Sequence, residues 1–183
     1  MSGASWLGAK FTTRPSPRPP VDRPPLDLAG RASLTLATWF GAGLSPVAPG
    51  TAGTAAAIPL AWALSYAGPA AYVATTLAVT LVGMVVAQRA GRHYGVADAR
   101  QIVIDEVAGY LVTMAFVPFG VVTALAGFLL FRVADVFKPW PASYFDKRWK
   151  NGAGVVLDDV VAAFYSRAAM VAVVAAGRRF GWL

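Results

Sequence analysis

The 183-residue chain contains no cysteine and a single histidine, His93. The first absence removes disulfides, thiolate zinc sites and every mechanism built on a cysteine nucleophile. The second removes schemes that need two histidines and disfavours zinc. His93 itself, in RHYG, reads as a surface or hydrogen-bonding residue. Charge is scarce too: 14% of residues are charged against 57% hydrophobic, and the mean hydropathy is +0.55. Soluble domains run nearer about 25% charged and about 45–50% apolar. The balance points to a membrane-embedded protein, with a soluble Ala/Val-rich bundle as the competing class. The net charge of +7 comes without a long basic face. That argues against nucleic acid and for an anionic lipid surface as partner. Strand alternation and internal repeats are also missing, which leaves an all-α fold.

Residues 1–30 form a separate regime. RPSPRPPVDRPP carries six of the 13 prolines, with Lys10, Arg14, Arg18 and Arg23 in or near it. It has no apolar periodicity and no signal-peptide h-region, so an extended or disordered tail is expected. Its functional reading is an electrostatic tether to anionic headgroups. Residues 31–183 read as one helical domain. RASLTLATWF predicts a first helix ending at Gly41, and GAGLSPVAPGTAG a loop. Apolar helices follow near 53–66 and 70–90, broken at Gly68-Pro69. RHYGVADARQ is a polar connector. A second apolar stretch runs from Ile102 to Phe131 around Pro118-Phe119-Gly120. FRVADVFKPWP, a basic segment (FDKRWKNG) and a last helix from about Val155 to Ala176 complete the chain.

The Pro118-Phe119-Gly120 break decides where the acids lie. A straight helix over 107–131 would hold Asp105 and Glu106 about 40 Å from Asp135. Broken, the stretch gives two arms of about 11 residues, each ~17 Å long, short of a ~30 Å hydrocarbon core. A hairpin then returns Asp135 to Asp105 and Glu106. The Gly68-Pro69 break does the same for the loop at 41–53 and Asp98. One kinked spanning helix is the competing reading of 102–131. With both hairpins, every polar motif shares one membrane face.

Nine acids exist in all, two of them in the tail, Asp22 and Asp27. Five sit in or beside apolar segments: Asp105 and Glu106 in IVIDEVAGY, Asp135 in RVADVFK, and Asp158 and Asp159 in VVLDDVVAAF. A buried carboxylate is costly unless it is paired or binds a metal, and ionisable groups at membrane depth are functional suspects. Arg132 and Lys138 flank Asp135 three residues to either side. The other four have no neighbouring base in sequence, although Arg89, Arg92 or Arg167 could pair across helices. Clustered carboxylates without His or Cys suit a hard cation, Mg²⁺ or Mn²⁺.

The loop GLSPVAPGTAGT adds a second element. Pro46 and Pro49 stiffen it, Gly50 and Gly53 permit close backbone approach, and Ser45, Thr51 and Thr54 offer hydroxyls. A helix starting near Thr51 would present free N–H groups to a phosphate oxygen. The Gly-Lys-Ser/Thr ending of a Walker A loop is missing, and an ordinary helix-entry loop also fits. Arg132 and Lys138 supply positive charge for phosphate. Trp140, Tyr144, Phe145 and Trp149 suit the interface, where aromatic residues collect. Together these parts describe metal-assisted phosphoryl chemistry, with Ser45, Gly50, Thr51, Arg132 and Lys138 as candidate substrate contacts.

Four stretches, LATWFGAGLSPVAPGTAGTAAAIP, IVIDEVAGY, FRVADVFKPWP and GAGVVLDDVVAAF, resemble the phosphatidylglycerophosphatase A family in order from about residue 34 to 166. The resemblance implies a Mg²⁺-dependent lipid phosphatase of bacterial inner membranes, converting phosphatidylglycerophosphate to phosphatidylglycerol and phosphate. It carries family acids onto Asp105, Glu106, Asp135, Asp158 and Asp159, as metal ligands and catalytic groups. Asp98, seven residues before Asp105, occupies a further acidic position within looser flanks. The alternatives are a small ion- or proton-coupled transporter, whose intramembrane acids bind the transported cation, and a non-catalytic scaffold in lipid synthesis. Arg89, Arg92, Arg100, Lys147, Arg148 and Lys150 predict a cytoplasmic site face. Arg178 and Arg179 would lie on the opposite side if the last helix spans, or at the interface if it does not.

Adjacent helical residues diverge by about 100°, so Asp158 and Asp159 cannot both face one metal from mid-helix. The run Asn151-Gly152-Ala153-Gly154 predicts a helix start at Val155–Leu157. That start would put the pair in the first turn, where the dipole favours negative charge.

Overall fold

Proline and glycine divide the apolar chain into helices at the places the sequence marks. The computed structural model describes residues 26–181. The tail expected over residues 1–30 lies outside the described residues as far as residue 25. Seven α-helices make up the described chain: α1 (Leu28–Ala37), α2 (Pro49–Tyr66), α3 (Pro69–Tyr94), α4 (Ile104–Met114), α5 (Val121–Phe137), α6 (Ala142–Arg148) and α7 (Gly152–Phe180). A 3₁₀ turn, Ala42–Leu44, precedes α2. No strand occurs among the described residues, so the fold is all-α.

Several boundaries differ from the sequence reading; α1 stops at Ala37 rather than Gly41, where Trp39 and Phe40 take positive φ, and α7 runs to Phe180 rather than Ala176. Helix α1 starts at Leu28, ahead of the expected domain start at 31, because Asp27 Oδ1 accepts the Gly30 N–H at 2.7 Å and caps it. Helix α2 starts at Pro49, where the ring is preset for a first helical turn. Helix α7 starts at Gly152 rather than 155–157. Asn151 caps it, Oδ1 accepting from the Gly154 N–H at 2.9 Å. The glycines there serve close packing, not a turn: a Cβ on Gly152 would collide with the Met84 and Gln88 backbone of α3.

Helix α4 is the centre. Ten of its 11 residues are buried, and α2, α3, α5 and α7 surround it. Val107, Tyr110, Leu111 and Met114 join Ala57, Tyr72, Phe131 and Met170 in one apolar core. Burial of this kind contributes on the order of 1.5–3 kcal/mol per large side chain. Polar atoms in the core are tied across helices. Tyr110 Oη donates to the Ala124 carbonyl (3.0 Å), Tyr72 Oη to Leu111 (2.8 Å), and Ser166 Oγ to Leu130 (3.1 Å). Gly109 lets three helices meet, since a Cβ there would overlap the Phe131 ring and touch the Asp159 carbonyl at 3.2 Å.

The hairpin over 104–137 forms as expected, with residues 115–120 as its non-helical tip. It brings the C-terminal end of α5 back to the N-terminal end of α4. The α2–α3 break returns the connector as well: Arg100 Nη2 donates to the Pro46 carbonyl at 3.2 Å, and the Val103 N–H to Ala37 at 2.8 Å. By length and composition two helices could cross a membrane, α3 and α7. At ~1.5 Å per residue they are about 39 and 43 Å long. Helix α7 is continuous, so it carries Arg178 and Arg179 to the end opposite Asp158 and Asp159.

Candidate active site

Four helix ends converge on one acidic cluster. The first turn of α4 supplies Asp105 and Glu106, and the last turn of α5 supplies Asp135. The second turn of α7 supplies Asp158 and Asp159, and the first turn of α2 supplies Gly50. All five carboxylates are between 1% and 9% exposed. The five acids singled out in the sequence therefore come together, and the geometry divides them.

One oxygen each from Asp105, Glu106 and Asp159 lies within 4.8 Å of the others. Asp158 and Asp135 face cations instead. Lys138 Nζ sits 2.7 Å from Asp158 Oδ2, 2.8 Å from Asp159 Oδ1 and 3.3 Å from Asp135 Oδ1. Lys138 reaches them because it caps α5 in the left-handed region (φ 41°), where few residues other than glycine settle. Arg132 Nη1 lies 2.6 Å from Asp135 Oδ2 and 3.6 Å from Glu106 Oε1. Neither approach has hydrogen-bond alignment, and Arg132 Nη1 is left without a hydrogen bond; Glu106 Oε2 is the other such buried side-chain atom among the described residues. Five carboxylates face two cations, an excess of three formal negative charges.

Burial drives the electrostatics. It pushes the Asp105 carboxyl well above its usual range, with Glu106 next door adding to the rise. Burial likewise raises Glu106, to about 7. Lys138 shows the opposite outcome: burial alone would lower its ammonium, but Asp159, Asp158 and Asp135 outweigh that and hold it protonated. Glu106 and Asp105 thus lack what Lys138 gives the α7 pair. An added cation between Asp105, Glu106 and Asp159 would relieve the excess charge. Three carboxylate oxygens with no nitrogen or sulfur donor fit a hard divalent ion.

The start of α7 corrects the dipole argument for Asp158 and Asp159. They are the seventh and eighth residues of the helix, beyond the first turn where the dipole acts. Lys138 is their counter-charge instead. The 100° divergence is resolved by function-specific facing: both reach Lys138, and Asp159 alone also reaches Asp105 and Glu106.

The loop residues expected from the sequence to meet phosphate separate in the same way. Gly50 is at the cluster, where a Cβ would overlap Glu106 Oε1 and crowd Arg132 Nη1 at 3.1 Å. Ser45 Oγ donates to the Val47 carbonyl of its own loop at 2.8 Å. Thr51 is exposed on the first turn of α2, and Thr54 Oγ1 donates back to Gly50 at 2.9 Å. Asp98, ranked lower on sequence, lines a small recess with Asp146 and Asp158. Its spacing before Asp105 was the available signal; nothing in the sequence marked Asp146. Gln88 was also unmarked, yet its Oε1 accepts the Gly152 N–H at 2.8 Å and fixes the start of α7.

Comparison with known proteins covers the same part of the chain. The family model described as Phosphatidylglycerophosphatase A matches residues 35–174, a span that holds every residue of the cluster. A Phosphatidylglycerophosphatase A of Escherichia coli (strain K12) is 36% identical over 132 residues, 72% of this chain and 77% of that protein. A Haemophilus influenzae protein of the same name is 39% identical over 133 residues, 72% and 82% of the two chains. A Bacteroides thetaiotaomicron protein, provisionally named a phosphatidylinositol-3-phosphatase, is 35% identical over 141 residues, 73% and 87% of the two chains. No solved structure matches the chain.

Proposed function

This chain belongs to the phosphatidylglycerophosphatase A family, and on that premise we propose that it is a Mg²⁺-dependent lipid phosphatase. It hydrolyses phosphatidylglycerophosphate to phosphatidylglycerol and inorganic phosphate, within phosphatidylglycerol synthesis, at a bacterial inner membrane. The observation that carries this reading is the buried Asp105–Glu106–Asp159 triad, with ligand oxygens within 4.8 Å, beside an arginine whose Nη1 has no aligned partner.

Asp105, Glu106 and Asp159 would hold Mg²⁺. When bound, the ion supplies polarisation of a phosphoryl oxygen and a coordinated water. Arg132 neutralises the phosphate, and Asp135 at 2.6 Å holds the guanidinium in place. The Gly50 N–H, at the start of α2, offers a backbone donor next to it. Lys138 keeps Asp158 and Asp159 oriented rather than meeting substrate, since three carboxylates already surround it. Water oxygen adds to phosphorus, the bond from phosphorus to the glycerol oxygen breaks, and that oxygen leaves with a proton. A transported-cation site would need the triad but does not call for an arginine Nη1 without an aligned partner beside it.

The exposed apolar faces of α3, α5 and α7 support embedding. Leu77, Leu81, Leu125, Leu129 and Val171 are each more than half exposed. Exposed Arg89, Arg92, Arg100, Lys147, Arg148 and Lys150 collect at the acid end, which favours a cytoplasmic site. Because the chain lacks cysteine, single Val96→Cys and Gly181→Cys variants report topology cleanly. An impermeant thiol reagent added outside should label Gly181→Cys and spare Val96→Cys; the reverse pattern sinks the orientation.

The activity is tested by phosphate release from phosphatidylglycerophosphate after chelation and after Mg²⁺ is restored, with phosphatidylinositol 3-phosphate as comparison substrate. Release should require Mg²⁺ and favour phosphatidylglycerophosphate. Release from neither lipid, or equal release with metal stripped, removes the reading.

A further inference from the structure

Helices α2 and α5 meet in a seam, with the acid cluster at one end and an apolar pocket at the other. Gly50, Thr54, Ile58 and Trp62 follow every fourth residue along α2, and Leu125, Phe128 and Arg132 share one face of α5. At the upper end Gly50 backs directly onto Glu106 and Arg132. In the middle Ile58 and Phe128 pack on the same core. At the lower end Ile58, Trp62, Phe119, Gly120, Val121 and Leu125 line an open pocket of about 330 Å³. Gly50 and Trp62 are separated by ~18 Å along α2, the reach of a long hydrocarbon chain.

We propose that this seam holds one acyl chain of the lipid whose phosphate the acid cluster takes; the proposal rests on the lipid-phosphatase reading above. Polarity changes in one direction only, from carboxylates and guanidinium to aromatic and aliphatic side chains, as it does along an amphiphile. The outer wall is open to lipid: Val121, Val122, Leu125 and Leu129 of α5 are 54% to 78% exposed. A chain can therefore enter sideways from the bilayer while its headgroup meets Arg132. Moving from lipid to an apolar groove gains packing rather than dehydration, so the seam selects by fit.

Gly120 gives a direct test. Its backbone is extended (φ −158°, ψ 170°), which any residue adopts, and an added Cβ would meet only Thr123 Oγ1, at 3.8 Å. Gly120→Phe should fill the pocket floor, and Trp62→Ala should deepen it. The readout is kcat/KM for sixteen-carbon relative to eight-carbon phosphatidylglycerophosphate in the same detergent. An overfilled apolar site discriminates on the order of tenfold. Gly120→Phe should lower the ratio by about that factor, and Trp62→Ala should raise the rate on twenty-carbon relative to sixteen-carbon chains. Folded, active variants that both keep the wild-type ratios overturn the proposal, as does a loss equal at every chain length. Failure of the wild type to release phosphate from any of these lipids would instead remove the phosphatase reading beneath it.

Discussion

The two adjacent-acid pairs, Asp105–Glu106 on α4 and Asp158–Asp159 on α7, are built alike and neutralised differently. In each, the first aspartate accepts the N–H of the residue after it, at 3.0 Å in one and 2.8 Å in the other. The α7 pair has its cation within the chain, Lys138, at 2.7 and 2.8 Å. Among the described residues the α4 pair has only Arg132, 3.6 Å from Glu106 and closer to Asp135. The difference teaches where an outside cation belongs. On the proposed Mg²⁺-dependent reading it would go to the pair the protein leaves short of charge, with Asp159 as the member shared between the two groups.

The largest test of that contrast separates neighbours. Asp159→Asn removes an oxygen of the triad and should lower phosphate release by about 10³-fold or more. Asp158→Asn leaves the triad oxygens in place and weakens the Lys138 contact, and should cost about 10- to 100-fold, the scale of a supporting partner. Equal losses would erase the distinction. Next comes Lys138→Met, which strands three carboxylates around an apolar chain. Removing one partner from a buried ionic group costs about 3–5 kcal/mol. With a side chain 25% exposed, Lys138 should fall near the lower end, read by denaturant unfolding in detergent. Gly50→Ala is smaller. Its methyl displaces Glu106 Oε1, and misplacement on that scale should lower kcat/KM by about 10- to 100-fold, with little change in melting temperature.

The smallest effect is a pH dependence in which Glu106 of the α4 pair takes part. Glu106 moves from 4.5 to about 7 on folding because burial disfavours its charge. Its folded form therefore binds the proton more tightly than its unfolded form. The stability it contributes is complete below about 4.5 and is lost as pH rises toward about 7. The metal-free protein should melt lower at pH 8 than at pH 5. Added Mg²⁺ should raise the melting temperature at pH 8 and scarcely at pH 5. Glu106→Gln should make the metal-free profile less steep. A metal-free melting temperature that climbs from pH 5 to pH 8 contradicts this assignment.

Most of the fold was legible because proline and glycine punctuate an otherwise apolar chain. Pro69 and the Pro118-Phe119-Gly120 tip fall at the observed helix breaks, and the hairpin that joins Asp135 to Glu106 follows from them. The start of α7 was misread for a physical reason. Gly152 and Gly154 look like loop residues, but they are small so that α3 and Trp149 can approach. The identity of the acids was legible from their cost in apolar segments. Their division was not, because it depends on Lys138 turning back at the end of α5 to meet Asp135, Asp158 and Asp159. Asp98 and Asp146 meet Asp158 in a recess that no local pattern announces.

The most direct measurement is a Mn²⁺ titration followed by electron paramagnetic resonance, on detergent-solubilised wild type and on Asp159→Asn at pH 8. Wild type should show saturable binding that Mg²⁺ displaces, and Asp159→Asn should lose it while Asp158→Asn largely keeps it. Saturable binding that survives Asp159→Asn unchanged would contradict a cation held by Asp105, Glu106 and Asp159.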